Sequence, residues 1–253
     1  MKKFLALLLL ASPLYAASKA SETPDFLQTD REAGFANAGS QYCAPTAVSN
    51  SLMWLAAHGY GDLRPEGGAR AAQIEMIRTL GGPEYMNTSP SIGTNCAQLI
   101  AGVETYVNEA GYTIEELSYE GWRAVDAEYR AGNRPDLQDI KDAIRDDHSA
   151  VWLNVGWYKY DEDSGDYLRK GGHWVTVVGS IGNDLLIHDP SPSAGLNFRT
   201  QRVSLEEITE GRLTGGERNL PRKAEGFYEV GGEMAVSKGY TAVLDGAVFL
   251  RLE

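Results

Sequence analysis

The chain has 253 residues, which is enough for one large domain with its own hydrophobic core or for two small lobes that share an interface. It carries 35 Asp and Glu against 23 Lys and Arg, so its formal net charge is −12 at pH 7. Phosphate backbones and anionic lipid surfaces repel a chain this acidic, which argues against nucleic-acid and membrane partners. Two cysteines are too few for a disulfide scaffold, so hydrophobic burial has to stabilise the fold.

The first residues are typical of an export signal. Two lysines precede a short apolar run, residues 4–10, which is too short to span a bilayer. We predict a signal peptide over residues 1–16, with cleavage after Ala16 or as late as Ala20, and a domain over residues 21–253. The mature protein is expected to be secreted or periplasmic and, after loss of the two lysines, to have a formal charge of −14 instead of −12.

Apolar residues recur at helical spacing in the first half of the mature chain. Helices are predicted to begin close to Cys43, to run over residues 69–80, and to follow a Thr94 cap. Glycines that favour helix ends stand near the end of each segment, at residues 59, 81 and 111. The first half is therefore predicted to be helical.

The second half changes character, with apolar and alternating runs that are separated by Gly-Asn-Asp and Gly-Gly turns. Strands are predicted over residues 112–119, 150–158, 167–170, 173–181, 185–188, 198–203 and 241–252, and one short helix over 137–145. A helical first half and a predominantly antiparallel second half predict an α+β architecture. We expect a site in the cleft between the two lobes.

Cys43 is the candidate nucleophile because it is predicted at the start of a helix. A thiol in that position meets the positive end of the helix macrodipole, which favours the nucleophilic thiolate. The alternative interpretation is a buried or disulfide-bonded cysteine, because Cys is among the most buried residue types and an exported chain meets an oxidising compartment. We expect no disulfide between Cys43 and Cys96, since it would consume the nucleophile.

Two strands that flank the predicted turn at residues 182–184 supply a candidate base and its partner. His173 follows a predicted Gly-Gly turn and heads the first strand, while Asp189 follows the second strand. If these strands pair as a hairpin, Asp189 can accept a hydrogen bond from the imidazole and fix its tautomer. A structural histidine is the alternative. His188 is expected to point to the opposite face from Asp189.

These segments together resemble the C39-like branch of the papain-like cysteine peptidases. The matching segments are Tyr42-Cys43-Ala44-Pro45, His173-Trp-Val-Thr-Val-Val-Gly179 and His188-Asp189-Pro190. The resemblance covers roughly residues 24–192 and implies a papain-like fold, in which a helical N-terminal lobe packs on an antiparallel β-sheet lobe. It also implies a catalytic triad of Cys43, His173 and Asp189. Ala44 departs from the family, which usually has Gly at this position.

The resemblance further implies a glutamine that stabilises the oxyanion. Pro24-Asp-Phe-Leu-Gln28 is similar to the Pro-x-x-x-Gln segment that supplies this glutamine, although the loop from Gln28 to Cys43 is longer than in the family. Gln41, two residues before the nucleophile, is the alternative donor. Trp174, next to His173, is expected to shield the Cys–His pair from water.

The resemblance implies a secreted cysteine peptidase that acts on a peptide or protein substrate. Two alternatives remain: an acyl transferase or amidase with the same thioester chemistry, and a catalytically inactive exported binding protein. No cofactor or metal is expected, because the four histidines and two cysteines form no zinc pattern and there is no phosphate-binding Gly-rich loop with a Lys. Residues 161–166 lack the closing carboxylate of a calcium loop and are predicted as a hairpin tip.

Overall fold

The computed structural model describes residues 17–194, 200–215 and 220–253. The predicted signal peptide and the first two residues of the strand predicted over 198–203 lie outside the described residues. The described part of the chain is α+β, with four α-helices and a mixed sheet of twelve strands. The predicted α+β class is therefore confirmed.

Three of the helices described belong to the first half of the chain. Their bounds, with that of the fourth, are Cys43–Ala57 (α1), Ala69–Gly81 (α2), Cys96–Glu109 (α3) and Leu137–Arg145 (α4). The positions predicted for α1, α2 and α4 are confirmed. Each of the four contributes buried apolar residues to a core.

The predicted cap of α3 is wrong by one residue. The Asn95 side chain accepts a hydrogen bond from the Gln98 N–H at 2.9 Å, and the Gln98 side chain accepts from the Asn95 N–H at 3.0 Å. This reciprocal capping box satisfies two N–H groups at the helix start. Thr94 instead pairs through its hydroxyl with the hydroxyl of Thr88, at 2.8 Å.

The described strands form a single sheet. Their bounds are Ala17–Ser18 (β1), Ile114–Gly121 (β2), Arg130–Gly132 (β3), Ser149–Asp161 (β4), Asp166–Ile181 (β5), Asp184–His188 (β6), Gln201–Val203 (β7), Leu205–Glu207 (β8), Arg212–Thr214 (β9), Arg222–Lys223 (β10), Tyr228–Val230 (β11) and Thr241–Leu252 (β12). The main order is β10-β9-β5-β4-β12-β11-β8, while β1 and β6 pair with β5, β7 with β6, β2 with β12, and β3 with β2. The β2–β3 and β5–β9 pairs are parallel and the other described pairs are antiparallel, so the sheet is mixed rather than wholly antiparallel.

The strands predicted over residues 167–170 and 173–181 are one continuous strand, β5, so the predicted Gly-Gly turn before His173 is wrong. Both glycines pair in register with β4, and His173 lies within the strand instead of at its head. Gly172 is there for a different reason, because a Cβ at this position would collide with the Arg169 guanidinium. The glycine allows a close approach of a side chain and does not turn the backbone.

The sheet separates two main apolar cores. One face packs on α1, α2 and α3, and Trp152 of β4 lies in this core. The opposite face packs on α4, and Val151 and Leu153 of β4 lie there, as strand alternation requires. Helix α1 is buried from Ala44 to Leu55 and is tied to β5 by the Thr176 hydroxyl, which donates to the Ala47 carbonyl at 2.7 Å. The start of α1 is thus fixed against the middle of β5.

The first described residues are an integral part of this fold. Strand β1 pairs antiparallel with the end of β5, and the next residue, Lys19, is buried. Its ammonium donates to the carbonyls of Asp146 and Ser149 at 2.7 and 2.9 Å and lies 4.0 Å from the centroid of the Trp54 ring. Burial lowers the pKa of Lys19 to about 8. The segment therefore closes one end of the sheet.

A chain that begins at Ser21 is expected to be less stable than one that begins at Ala17. It loses the β1 pairing and the Lys19 hydrogen bonds. At about 1 kcal/mol for each hydrogen bond, the free energy of unfolding is expected to fall by about 2–4 kcal/mol. Urea unfolding of the two chains measures the difference in the free energy of unfolding. Ser18→Ala changes an exposed residue of the longer chain and serves as the control, whose free energy of unfolding should stay near that of the unmodified longer chain. Equal free energies of unfolding would contradict this prediction. A loss would favour the earlier of the two predicted cleavage positions.

Candidate active site

The structure brings together three of the residues that the sequence singles out. Cys43 is the first residue of α1, His173 lies in β5, and Asp189 directly follows β6, which pairs antiparallel with β5. His173 Nε2 lies 2.5 Å from Asp189 Oδ1, and Cys43 is close enough to the imidazole to contribute to raising its pKa. Because Nε2 contacts Asp189, Nδ1 is the ring nitrogen that remains to exchange a proton with the thiol. The predicted hairpin between the two strands is confirmed.

The charges around His173 favour its protonated form. Burial of the imidazole opposes protonation, but Asp189 and then Cys43 outweigh this effect and raise the pKa of His173 to about 10. At neutral pH the imidazole therefore carries a proton, and it can stabilise negative charge that develops on the sulfur at the start of α1. A thiolate beside an imidazolium is the reactive state of a cysteine nucleophile.

Asp189 is held in place by its own turn. Its side chain is only 2% exposed, and Oδ1 also accepts a hydrogen bond from the Ser191 N–H at 2.8 Å. The neighbouring His188 points elsewhere, as expected: its ring nitrogens contact the Pro24 carbonyl at 3.1 Å and the Thr200 hydroxyl at 3.0 Å. Burial lowers the pKa of His188, which keeps this ring neutral. His188 therefore has a structural role in this fold.

An aromatic residue that the sequence analysis did not single out covers His173. The Trp157 ring stacks on the imidazole with centroids 6.1 Å apart and an interplanar angle of 21°. Trp174 is buried, donates to the Thr94 carbonyl at 3.0 Å and lines a cavity that includes Cys43, so the shielding role expected for it stays a prediction. The signal that could have found Trp157 is register: Val155 pairs with His173, and Trp157 is two residues further along the same face of β4.

Two cavities meet at the nucleophile. The larger cavity, about 590 Å³, is lined by Gln28, Trp157, His173 and Asp189 together with Cys43. The smaller cavity, about 350 Å³, also includes Cys43 in its lining, together with residues around the start of α3. Cys43 therefore borders two separate spaces that could hold parts of a substrate.

Gln28 lies beside the nucleophile, but its amide already has partners. Nε2 donates to the carbonyls of Gly39 and Ser40 at 2.9 and 3.1 Å, whereas Oε1 is buried with no hydrogen-bond partner in the structure described. The amide thus holds the loop that precedes α1. To donate to an oxyanion, one of its two hydrogens has to exchange its partner, so the role predicted for Gln28 stays a prediction.

Gln41, the alternative donor, lines both cavities. Its Oε1 lies close to Gly93, so the side chain extends toward the turn that precedes α3. A third donor is the N–H of Cys43 itself, since the first N–H groups of a helix have no acceptor within the helix. The start of α1 can therefore supply both the nucleophile and a donor.

The remaining predictions on chemistry concern disulfides, metals and membranes. Cys43 and Cys96 form no disulfide, as expected. Residues 162–165 form the tip between β4 and β5, also as expected. Within the described ranges, no group of three or more His, Cys, Asp or Glu could hold a metal ion. No helix in those ranges has the length and apolar character that crossing a membrane requires.

Comparison with known protein-family models finds no match to the chain, and comparison with curated proteins finds none either. The site is therefore characterised by its own geometry: a thiol at a helix start, an imidazole and a buried carboxylate, with two cavities that share the thiol in their linings.

Proposed function

We propose that the protein is an exported cysteine peptidase with a papain-like fold. The observation that carries this proposal is the grouping of Cys43, His173 and Asp189 in one cavity, with a 2.5 Å contact between the imidazole and the carboxylate. The packing of α1 against β5 supports the papain-like interpretation, because it joins a helical layer to a sheet at the nucleophile. The export signal predicted over residues 1–16 supports a secreted or periplasmic location.

In the first half of the proposed reaction, the Cys43 thiolate attacks the carbonyl carbon of a peptide bond. A C–S bond forms and the carbonyl oxygen becomes an oxyanion, which the Cys43 N–H and a glutamine amide stabilise. The intermediate collapses with cleavage of the C–N bond, and His173 transfers its proton to the leaving amine. The acyl group remains on Cys43 as a thioester.

In the second half, the neutral imidazole of His173 takes a proton from water, and the resulting hydroxide attacks the thioester carbon. Cleavage of the C–S bond releases a carboxylic acid and restores the thiolate beside the protonated imidazole. Asp189 keeps Nδ1 directed at the sulfur throughout. An acyl transferase would differ only in the acceptor, with an amine in place of water.

Thiol labelling combined with product analysis tests the proposal. Iodoacetamide is expected to alkylate Cys43 rapidly and the buried Cys96 slowly, which peptide mass spectrometry resolves site by site. Hydrolysis of a denatured protein substrate should stop in proportion to Cys43 alkylation. Inert Cys43 would support the inactive binding protein instead, and products capped by an added amine would indicate a transferase.

The glutamine that stabilises the oxyanion is tested by two alanine variants. Gln28→Ala is expected to lower kcat by about a hundredfold or more with little change in KM, because an oxyanion donor acts only in the transition state. Gln41→Ala should cost far less, and thermal melting of both variants separates loss of the donor from loosening of the loop at Gly39. If Gln28→Ala has a near-normal kcat and Gln41→Ala is nearly inactive, the oxyanion role belongs to Gln41.

A further inference from the structure

The amide of Gln28 is committed to the loop that precedes α1. Gln28 is 5% exposed, and its Nε2 donates to the carbonyls of Gly39 and Ser40. Its Oε1 is buried with no hydrogen-bond partner in the structure described, which costs free energy. Burial alone would not favour this arrangement, so the two loop carbonyls hold the amide where it is.

The same loop has a strained backbone. Asn37, Ala38 and Gly39 follow one another with φ of 49°, 51° and 74°. Glycine enters this left-handed region freely, whereas alanine does so at a cost that no side-chain hydrogen bond offsets. Gly39 is also required for space, because a Cβ there would collide with the Gln28 carbonyl oxygen. The strained loop therefore crosses Gln28 in direct contact with it.

The Asn37 side chain anchors this loop to a separate segment. Its Nδ2 donates to the Ser40 hydroxyl at 2.9 Å and to the Pro90 carbonyl at 3.1 Å. Pro90 lies in the turn before α3, which two hydrogen bonds between Ser89 and Gly93 close. A left-handed backbone persists only where surrounding contacts hold it, and Asn37 supplies two of them.

The loop can release one hydrogen of the Gln28 amide at little cost. The Gly39 carbonyl also accepts from the Tyr42 N–H at 3.0 Å, so it keeps a donor when Nε2 turns away. Gln28, Ser40 and Cys43 line the same cavity, which places this exchange of partners beside the nucleophile. The released hydrogen is then available to an oxyanion on the substrate.

We propose that residues 37–40 form a latch on the oxyanion glutamine, and that Asn37 is the positioning residue that sets the strength of this latch. With the latch closed, Nε2 donates to the loop; with the latch open, one of its hydrogens donates to the oxyanion. This inference rests on the proposed peptidase function, with Gln28 as the donor. Turnover then follows the fraction of the enzyme in which the latch is open, so a weaker latch raises kcat and a stronger latch lowers it.

Two variants change the strength of the latch in opposite directions. Asn37→Ala removes both anchoring hydrogen bonds and is expected to raise kcat about threefold to tenfold, with little change in KM. Ala38→Asn introduces, at an exposed position, a residue that adopts the left-handed conformation more readily than alanine, and is expected to lower kcat about threefold. Initial rates on fluorescein-labelled casein over a range of concentrations give both constants.

A purely structural role for Asn37 predicts the opposite result, in which the less stable variant is also the slower one. Thermal melting is expected to show that Asn37→Ala is less stable and yet faster. Asn108→Ala makes the same change at an exposed residue of α3 and should leave kcat unchanged. Alkylation of Cys43 by iodoacetamide forms no oxyanion, so its rate should be the same in all of these variants.

A double variant tests whether Asn37 acts through Gln28. Gln28→Ala has no amide to release, so the addition of Asn37→Ala should leave its kcat unchanged. An equal gain in kcat with and without the Gln28 amide would overturn the latch. If Asn37→Ala fails to fold, Ala38→Asn still decides the question, because an unchanged or higher kcat in that variant would overturn the latch as well.

The outcomes distinguish this inference from the function on which it rests. An unchanged or lower kcat in Asn37→Ala, with hydrolysis still dependent on Cys43, would overturn the latch and leave the peptidase proposal standing. A near-normal kcat in Gln28→Ala would do the same. If Cys43 does not react with iodoacetamide and the unmodified chain does not hydrolyse casein, the peptidase proposal fails and the latch fails with it.

Discussion

Replacement of Cys43 by alanine is expected to abolish hydrolysis while the chain remains folded. The thiolate is the only group in the proposed reaction that forms a covalent bond with the substrate. Loss of a nucleophile from a triad lowers kcat by about five to six orders of magnitude. Cys43 is half-buried at the first position of α1, so the change removes one sulfur atom at the rim of the core and leaves the helix intact. Progress curves at high enzyme concentration and thermal melting measure the two effects.

Cys43→Ser is the matched control for this variant. It keeps an oxygen at the same position, but a hydroxyl is far harder to ionise than a thiol, so it is expected to be nearly as inactive as Cys43→Ala. Activity above about one hundredth of that of the unmodified chain in Cys43→Ala would exclude the nucleophile role, since a true nucleophile loses far more. Loss of the folded state in both variants would instead indicate a structural cysteine.

The parts of the site that could be predicted are those with local sequence signals. Cys43 follows from the start of an apolar-periodic helix, and a short turn fixes the offset between His173 and Asp189 along two paired strands. These relations need only the periodicity of a helix and the ladder of a hairpin, so no knowledge of distant packing is required. Helix α1 and strand β12 were found for the same reason.

What could not be predicted depends on contacts between distant segments. The Gly-Gly pair before His173 has the composition of a turn, yet ten paired positions with β4 keep it extended and Arg169 requires the missing side chain. The β4–β5 register places Trp157 next to His173. A turn before His173, as predicted, does not contain this pairing. The smaller cavity joins Arg123 and Arg169, which are 46 residues apart, and Asp245, which accepts from Arg169, belongs to the last strand.

Asp189→Ala is expected to lower kcat/KM by about two to four orders of magnitude without abolishing activity, because the carboxylate orients the imidazole and does not itself take the proton. Asp189→Asn should retain more activity than Asp189→Ala. His173 rests as an imidazolium, whose two N–H groups both donate, and the Asn carbonyl can accept one of them. His188→Gln, one residue away, is the control and should do far less. A reversed order of effects at positions 188 and 189 would contradict the register of β6.

The pH profile separates the charge of Asp189 from its role in orientation. Its carboxylate is the largest of the influences that raise the pKa of His173 to about 10, so both Asp189 variants should lower that pKa. The ion pair is present below the pKa of the imidazolium and is lost as the pH rises through it, so the alkaline limb of kcat/KM is expected to move to lower pH in both variants. Asp189→Asn should therefore recover rate at neutral pH but not the alkaline limb. An unchanged alkaline limb in both variants would contradict this prediction, because it would show that the limb does not follow an Asp189-dependent pKa of His173.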